Sequence, residues 1–376
     1  MEPSACESSS LDGVIIRPAS ALHRRVAPEA VVHLVPAFLR DACPCPYPKE
    51  IRGAQTFLTE IAGPAGCGKS TFLISLCLDR LINRWFEGSP SSVVYVATGV
   101  EGKNNVVAVR VQGMARAALR MHLELVEVSG GLEELVAFYN EHPETSGALP
   151  PGASLEDLHS AMVESVVMKN FVYLHAKTTE EFQAVLGVTA ADEDEDVGDG
   201  GGCYDGDDYD CAASGDGGGN SSSSTTTTTN RQSDNGAQKK KRKRGQGGRS
   251  PPSGTIQSIL LGKSCDLIVV DSIAALYRQS YSEESLSPVE LTSMLFKVAC
   301  GLRRLPGPVV VSNQVTAGEG DNTWKASLGQ AWSNCVERRI LVDRVMNKDN
   351  AWIRWAVMGG RRYNFKIYPH GVSEVS

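Results

Sequence analysis

The sequence lacks the features that assign a chain to a membrane, to the secretory route or to a zinc fold. No stretch of its 376 residues approaches 18 consecutive apolar positions, and Met1–Leu11 is polar, unlike a signal peptide. The ten cysteines include no CxxC pair. The one close pair, Cys43 and Cys45, is interpreted as two thiols in a reducing compartment, with a metal or redox site as the alternative. We expect an intracellular protein with no membrane partner.

Large apolar side chains are almost absent from Asp192–Gly254, which carries 12 acidic and 8 basic residues. This segment supplies more than half of the formal net charge of −7, so charge decides little about the partners of the remaining chain. Its acidic, Ser/Thr-rich and basic tracts cannot bury enough apolar surface to fold, which predicts a disordered low-complexity insertion at 192–254. The other predicted parts are a short lead-in at 1–50 and a core made of 51–191 and 255–376.

Short apolar segments alternate with helical patterns through this core. The strand candidates are Thr56–Ala62, Ser92–Ala97, His122–Val128, Asn170–His175, Leu267–Asp271, Val309–Ser312 and Ile340–Val342. Helical periodicity is clearest in Ser70–Trp85 and Thr179–Leu186. Such alternation is typical of an α/β fold with a mostly parallel central sheet. Near the end of the chain, Ala351–Met358 and Tyr363–Tyr368 flank two glycines and predict a C-terminal β-hairpin at the sheet edge.

A phosphate-loop motif, G-x-x-x-x-G-K-[ST], lies between the first strand candidate and the first helix. Its residues are Gly63, Pro64, Ala65, Gly66, Cys67, Gly68, Lys69 and Ser70, followed by Thr71. Glycines let the backbone N–H groups of such a loop turn toward phosphates, and the positive end of the helix points at the same place. Lys69 is expected to reach the β- and γ-phosphates, and the Ser70 hydroxyl to bind Mg²⁺. The motif therefore predicts ATP and Mg²⁺ as ligands.

Two later strands end in polar side chains that suit the same chemistry. Leu267–Asp271 is an apolar run that ends in a carboxylate, as expected for a buried strand that delivers Asp271 to the carboxyl edge of the sheet. There Asp271 is predicted to hold the Mg²⁺ shell through water. Gln314, which follows Val309–Ser312, is predicted to contact the γ-phosphate or its attacking water. An ordinary strand end with amides facing solvent is the alternative for Gln314.

Taken together, these segments resemble the RecA-type P-loop ATPase core of eukaryotic strand-exchange recombinases and their paralogues. The resemblance rests on Thr59–Pro64, Val269–Arg278 and Val311–Thr316, and covers about residues 50–376 without the insertion. Ser327–Val336 is most similar to the X-ray-repair cross-complementing branch, which partners another recombinase paralogue. The resemblance implies an ATP-binding paralogue that assists recombinase filament assembly on single-stranded or branched DNA during repair of double-strand breaks and cross-links.

The strand after the phosphate-loop helix departs from the family's pattern. In the family, the threonine that ends this strand is followed directly by a glutamate that orients the attacking water. Here Gly99 follows Thr98, and Glu101 comes two positions late. A carboxylate displaced by two residues lies several Å away, so we expect slow hydrolysis, with Glu101 as the candidate water-activating residue.

The two loops that bind DNA in the family hold few cations here. They are Arg278–Ser287 and Ala317–Ser327, and the candidate DNA contacts within them are Arg278, Trp324 and Lys325. A plain surface loop is the alternative in each case. Because only about 50 residues precede the core, too few for the family's DNA-capture domain and subunit-docking linker, homofilament assembly is not expected.

A run of six basic residues lies in the predicted insertion. It consists of Lys239, Lys240, Lys241, Arg242, Lys243 and Arg244. The run is typical of a nuclear import signal, and a nonspecific nucleic-acid patch or a solvated charge run are the alternatives. With a repair ATPase as the core, import is the favoured interpretation, and the nucleus the expected location.

Two other functions compete with a regulatory paralogue. One is an autonomous DNA-stimulated ATPase or strand-exchange recombinase, in which Gln314 and Glu101 are catalytic. The other is a P-loop kinase of small metabolites, which the Val-Ser-Asn-Gln end of the strand at 309–314 disfavours.

Overall fold

The computed structural model describes residues 34–43, 57–88, 91–99, 105–128, 131–142, 148–188, 254–260, 264–277, 287–317, 324–348 and 351–375. All of these belong to one compact unit, Met1–Thr189 with Pro251–Ser376, and the second unit, Ala190–Ser250, lies outside the described residues. The insertion predicted at 192–254 therefore lies outside them too, apart from Gly254. No helix among the described residues is long and apolar enough to cross a membrane.

The described strands form one sheet whose centre is parallel. They are β1 (Leu58–Gly63), β2 (Ser92–Thr98), β3 (Phe171–Ala176), β4 (Cys265–Asp271), β5 (Val309–Ala317), β6 (Trp324–Ala326), β7 (Arg338–Met346), β8 (Trp352–Met358), β9 (Arg361–Tyr368) and β10 (Gly371–Glu374). The order is β10-β9-β8-β7-β1-β5-β4-β2-β3, and β6 pairs with β5 outside this path. Pairing is parallel from β7 to β3 and antiparallel for β8, β9, β10 and β6. The α/β fold with a mostly parallel sheet and a C-terminal hairpin is confirmed.

Helices follow most of the parallel strands. They are α1 (Ala37–Ala42), α2 (Lys69–Phe86), α3 (Asn105–Val128), α4 (Leu132–Glu141), α5 (Leu155–Met162), α6 (Thr179–Leu186), α7 (Ile256–Ile259), α8 (Pro288–Arg303) and α9 (Gly329–Ser333). A π-helical turn, Val163–Met168, continues α5, and residues 273–277 are helical after β4. Ser154 and Ser287 form capping boxes that begin α5 and α8.

The core is divided by the sheet into two apolar clusters. Along β2, Val93 and Tyr95 belong to the cluster that contains α2 to α5, whereas Val94 and Val96 belong to the one that contains α6 to α8. Successive side chains of a strand point to opposite faces, so the central strands are apolar on both faces. This burial explains why they read as continuous apolar runs in the sequence.

The strand predicted at His122–Val128 is wrong, because these residues form the last two turns of α3. Its buried side chains recur at helical spacing, at Val111, Met114, Ala115, Ala118, Leu119, His122 and Leu123. The local alternation in His-Leu-Glu-Leu-Val-Glu-Val imitates a strand. These residues are helical because they continue the apolar face of the preceding turns of α3. The His122 Nδ1 also lies 2.8 Å from the carbonyl oxygen of Ala118, one turn earlier.

The C-terminal hairpin forms as predicted, but it is not the edge of the sheet. Gly359 and Gly360 have φ of +55° and +77°, the conformation that a tight two-residue hairpin requires. A further strand, β10, pairs with β9 and forms the edge. The end of the lead-in packs beside it: the Phe38 and Tyr363 rings stack 4.4 Å apart, and the Val372 N–H donates to the Leu34 carbonyl oxygen at 3.0 Å.

Candidate functional site

The phosphate-loop motif forms the turn between β1 and α2. Gly66 and Gly68 have φ of +73° and +113°, a region that residues with a side chain rarely adopt. Gly63 is closely packed, since a Cβ there would lie 2.1 Å from the Val342 carbonyl oxygen. All three glycines of the motif are therefore required, Gly66 and Gly68 by their positive φ and Gly63 by its close packing. The 18-residue helix α2 begins at Lys69 and directs its N terminus at the loop.

The Lys69 side chain closes over this loop. Its Nζ donates hydrogen bonds to the carbonyl oxygens of Gly63 (2.8 Å) and Pro64 (2.9 Å). An ammonium group has three donors, so one remains for another acceptor. Because the loop N–H groups, the helix N terminus and the amine lie together, the loop suits an anionic ligand that competes for the amine.

Asp271 ends β4, and two hydroxyl groups hold its carboxylate. The Tyr95 hydroxyl donates to Oδ2 at 2.6 Å, and the Ser312 hydroxyl donates to Oδ1. Burial and then the neighbouring Asp271 keep the pKa of Tyr95 well above its usual value, so the phenol remains a donor. The two bonds orient the carboxylate, and each of its oxygens keeps a lone pair. The peptide bond between Asp271 and Ser272 is cis.

Strand β5 brings Gln314 to the same edge of the sheet. It lies between β1 and β4, and its register places Gln314 beside Gly63 of the phosphate loop. On its other side, Ser312 contacts Asp271. Parallel strands present their carboxyl ends at one edge. The phosphate loop, Asp271 and Gln314, which the sequence analysis selected separately, therefore lie on three adjacent strands.

A buried carboxylate that the sequence analysis missed lies beneath this edge. Glu60 in β1 is fully buried. Its Oε1 accepts hydrogen bonds from Asn313 Nδ2 (2.6 Å) and Trp332 Nε1 (2.8 Å), and its Oε2 accepts one from Arg339 Nε. The only signal in the sequence was a charged residue inside an apolar strand. These four residues are called the Glu60 network below.

Asn313 joins the Glu60 network to the candidate site. Its Nδ2 also donates to the Ser327 carbonyl oxygen at 2.8 Å, and its Oδ1 accepts from the Gln314 N–H at 2.7 Å. The Ser327 N–H donates to the Gln314 carbonyl oxygen at 2.8 Å. The backbone of Gln314 is thus held to the start of the segment that leads to Trp332.

Arg110, on α3, is a second residue that the sequence analysis missed. Its guanidinium donates a hydrogen bond to the Thr71 hydroxyl, one of the residues predicted to contact the cofactor. Its positive charge also opposes the rise in the pKa of Tyr95. Arg110 therefore adds positive charge near the phosphate-loop helix and Asp271. No motif marks it, since the contact depends on how α3 packs.

Several cysteines in the described residues are buried thiols with a raised pKa. Burial raises the pKa of Cys43 and of Cys265 to about 12, and burial also raises the pKa of Cys67 inside the phosphate loop. Thiols with a raised pKa stay protonated at neutral pH and react slowly. This agrees with the interpretation of Cys43 as an ordinary thiol. Cys45 lies outside the described residues.

Several predicted site residues are not tested by this geometry. Glu101, Arg278 and the basic run 239–244 lie outside the described residues. Within Ala317–Ser327, the predicted second DNA-binding loop, residues 324–326 form β6, in which Lys325 pairs with Thr316 of β5. Lys325 is exposed there, close in sequence to Ser327. Its contact with DNA, like that of Trp324, stays a prediction.

No family model and no curated protein matches this chain. Among solved structures, one described as the RadB recombinase is similar at 16% identity, with a TM-score of 0.42, over 91% of this chain and 99% of that chain. A likeness this distant carries no function across to this chain.

Proposed function

We propose that this protein is an ATP-binding recombinase paralogue, of the X-ray-repair cross-complementing branch, that acts in homologous recombination repair of double-strand breaks and cross-links. It assists recombinase filament assembly on single-stranded DNA as part of a paralogue complex. The observation that carries the proposal is the arrangement of the phosphate loop, Asp271 and Gln314 on three adjacent strands. That arrangement supports binding of a nucleoside triphosphate. The role in repair and the paralogue complex are proposed from the family resemblance.

The residues at the site fit ATP with Mg²⁺. Ser70 offers a hydroxyl oxygen and Asp271 an oriented carboxylate, and Mg²⁺ prefers such hard oxygen donors together with phosphate oxygens and water. Bound Mg²⁺ would neutralise charge on the β- and γ-phosphates. Lys69 and the loop N–H groups bind and orient the phosphates, and Asp271 holds the metal's water shell. No dedicated cage of carboxylates is needed for this kind of site.

ATP acts mainly as a conformational ligand in this proposal. A γ-phosphate contact at Gln314 would shift the Gln314 backbone, which is hydrogen-bonded to Ser327. Asn313 links the same backbone to the Glu60 network. The segment between Gln314 and Ser327, which includes Trp324 and Lys325, is where contacts with DNA or with a recombinase are expected. Binding of ATP then shifts the population of that segment without requiring fast turnover.

Affinity purification tests this proposal. We expect the tagged chain to co-purify with a second recombinase paralogue, and the isolated complex with ATP and Mg²⁺ to lengthen the lifetime of recombinase filaments on single-stranded DNA at least several-fold. The Lys69→Ala chain, purified in the same way, is the matched control for the nucleotide step. A chain without a paralogue partner and without effect on filaments contradicts the proposal.

The alternative is an autonomous DNA-stimulated ATPase or strand-exchange recombinase. It is favoured if the chain alone hydrolyses ATP over many turnovers on single-stranded DNA and if Glu101→Gln abolishes that hydrolysis. Slow hydrolysis that is indifferent to Glu101→Gln supports the regulatory paralogue instead.

Nuclear import by the basic run is the second part of the proposal. Replacing Lys239–Arg244 by alanine removes six adjacent positive charges, and we expect the full-length chain to move from the nucleus to the cytoplasm. Imaging of a fluorescent fusion large enough to prevent passive entry measures this. Alanine at three scattered surface lysines is the control. If the variant with alanine at Lys239–Arg244 still accumulates in the nucleus, the basic run is not the import signal.

A further inference from the structure

Strand β7 continues past the end of β1 and runs beside the phosphate loop. Its register with β1 ends at Ala62 and Leu341, and the following residue, Val342, lies against Gly63. Two residues later, the Arg344 guanidinium lies against Gly66, where a Cβ would be 2.8 Å from its terminal nitrogen. Arg344 is thus held at the outer side of the loop, whereas Lys69 closes over it from the helix side.

The Trp352 ring positions this guanidinium. The Arg344 Cζ lies 4.1 Å from the ring centroid, a distance typical of a cation–π contact. Trp352 reaches it because β7 and β8 pair Met346 with Trp352, one diagonal step from Arg344. Stacking on a ring occupies the flat face of a guanidinium and leaves the N–H groups around its edge available to acceptors.

A second arginine faces Arg344 across the two strands. Arg354 is its directly paired residue in β8, so the two side chains lie on the same face of the sheet. Among the described residues neither arginine has an ion pair, and the buried Nε of Arg354 has no hydrogen-bond partner. The carboxylate nearest in sequence, Asp343, lies on the opposite face of the strand and accepts from the Arg344 backbone N–H at 2.7 Å, and its charge reaches Cys67 of the phosphate loop.

This pair of like charges calls for an anion. Two cations directly opposite each other on neighbouring strands are destabilising, and an anion bound beside them relieves the repulsion. The adjacent phosphate loop suits an anion, and a chain of phosphates is longer than one lysine can contact. The polyphosphate of a nucleotide is therefore the anion that fits beside Arg344. Guanidinium groups bind phosphate oxygens with charge-assisted, often paired hydrogen bonds.

We propose that Arg344, positioned by Trp352 and flanked by Arg354, is a second phosphate-binding element of the nucleotide site and binds non-bridging oxygens of the polyphosphate. This inference rests on the proposed function, because it assumes that the loop binds a nucleoside di- or triphosphate. Arg344 acts on the bound ligand through contact, and Trp352 is a positioning residue that acts through its stacking contact with Arg344.

Arg344→Ala tests the inference, with binding of ATP and of inorganic tripolyphosphate measured by calorimetry in the full chain. The loss of charge-assisted hydrogen bonds predicts a roughly ten-fold or larger weakening for both ligands. Arg344→Lys keeps the charge but not the stacked fork, and it is expected to recover only part of the affinity. Trp352→Ala should weaken binding in the same direction, and its effect should vanish in the Arg344→Ala background.

The hairpin offers a matched control. The Arg362 guanidinium stacks on Trp355 at 4.7 Å, and it lies on the face of the same sheet opposite to Arg344. Arg362→Ala removes the same charge and the same kind of contact, so it should leave both affinities within about two-fold of the parent chain, and circular dichroism of all variants checks folding.

The outcomes separate the two proposals. If the parent chain binds ATP and Arg344→Ala binds it as well as Arg362→Ala does, the role of Arg344 is overturned while the proposed function stands. If the loss appears with ATP but not with tripolyphosphate, Arg344 contacts the nucleoside, which also overturns the phosphate assignment. A parent chain that binds neither ligand overturns both proposals.

Discussion

Lys69→Ala is expected to weaken ATP binding by at least roughly 100-fold, which corresponds to about 2.7 kcal/mol. Two effects add in this variant. The ammonium that would bind the β- and γ-phosphates is lost. The hydrogen bonds from Lys69 Nζ to the carbonyl oxygens of Gly63 and Pro64 are lost as well, so the loop is no longer held in place before the ligand arrives. Calorimetric titration with ATP and Mg²⁺ measures the change.

Lys366→Ala is the matched control for this experiment. Lys366 is exposed on β9, so its removal subtracts the same charge without touching the loop. We expect its ATP affinity to stay within about two-fold of the parent, as for other surface substitutions. Equal affinity of Lys69→Ala and Lys366→Ala would mean that the phosphate loop is misassigned and that the proposed function loses its foundation.

The parts of the fold that could be predicted are those whose signal is local. The phosphate loop is a continuous motif, and its glycines stand where the backbone needs them, for example at the positive φ of Gly66 and Gly68. Asp271 and Gln314 could be selected because Asp271 directly follows a buried apolar run and Gln314 comes three residues after another, which ends at Val311. The rule that parallel strands end at one edge then brings them together.

Other features depend on contacts between distant parts of the chain. The alternation in His122–Val128 predicts a strand only until the apolar face of the whole of α3 is known. Glu60 and Arg339, which contact each other, are 279 positions apart in the sequence. Arg344 lies against Gly66 only because β7 extends beyond the end of β1. No spacing in the sequence reports such a contact, so these residues become candidates only once the sheet order is known.

Arg339→Met is expected to lower the free energy of unfolding by about 3 kcal/mol. Arg339 is the cation that faces the fully buried Glu60, and its own side chain is 31% exposed. Removing it leaves a carboxylate in the sheet without a countercharge, which costs more than the ion pair itself contributes. Water at the exposed side of Arg339 places the value at the low end of the usual range. Urea unfolding at pH 7 measures it.

A second substitution shows whether the uncompensated charge causes that loss. Glu60→Gln keeps the oxygen that accepts from Asn313 and Trp332, and it removes the negative charge. In the Arg339→Met background it should therefore restore more than half of the lost stability, whereas Arg361→Met, an exposed arginine on β9, should change stability by less than about 0.5 kcal/mol. If Glu60→Gln restores nothing, the loss comes from packing around Arg339, and the Glu60 network is not held by its charge pair.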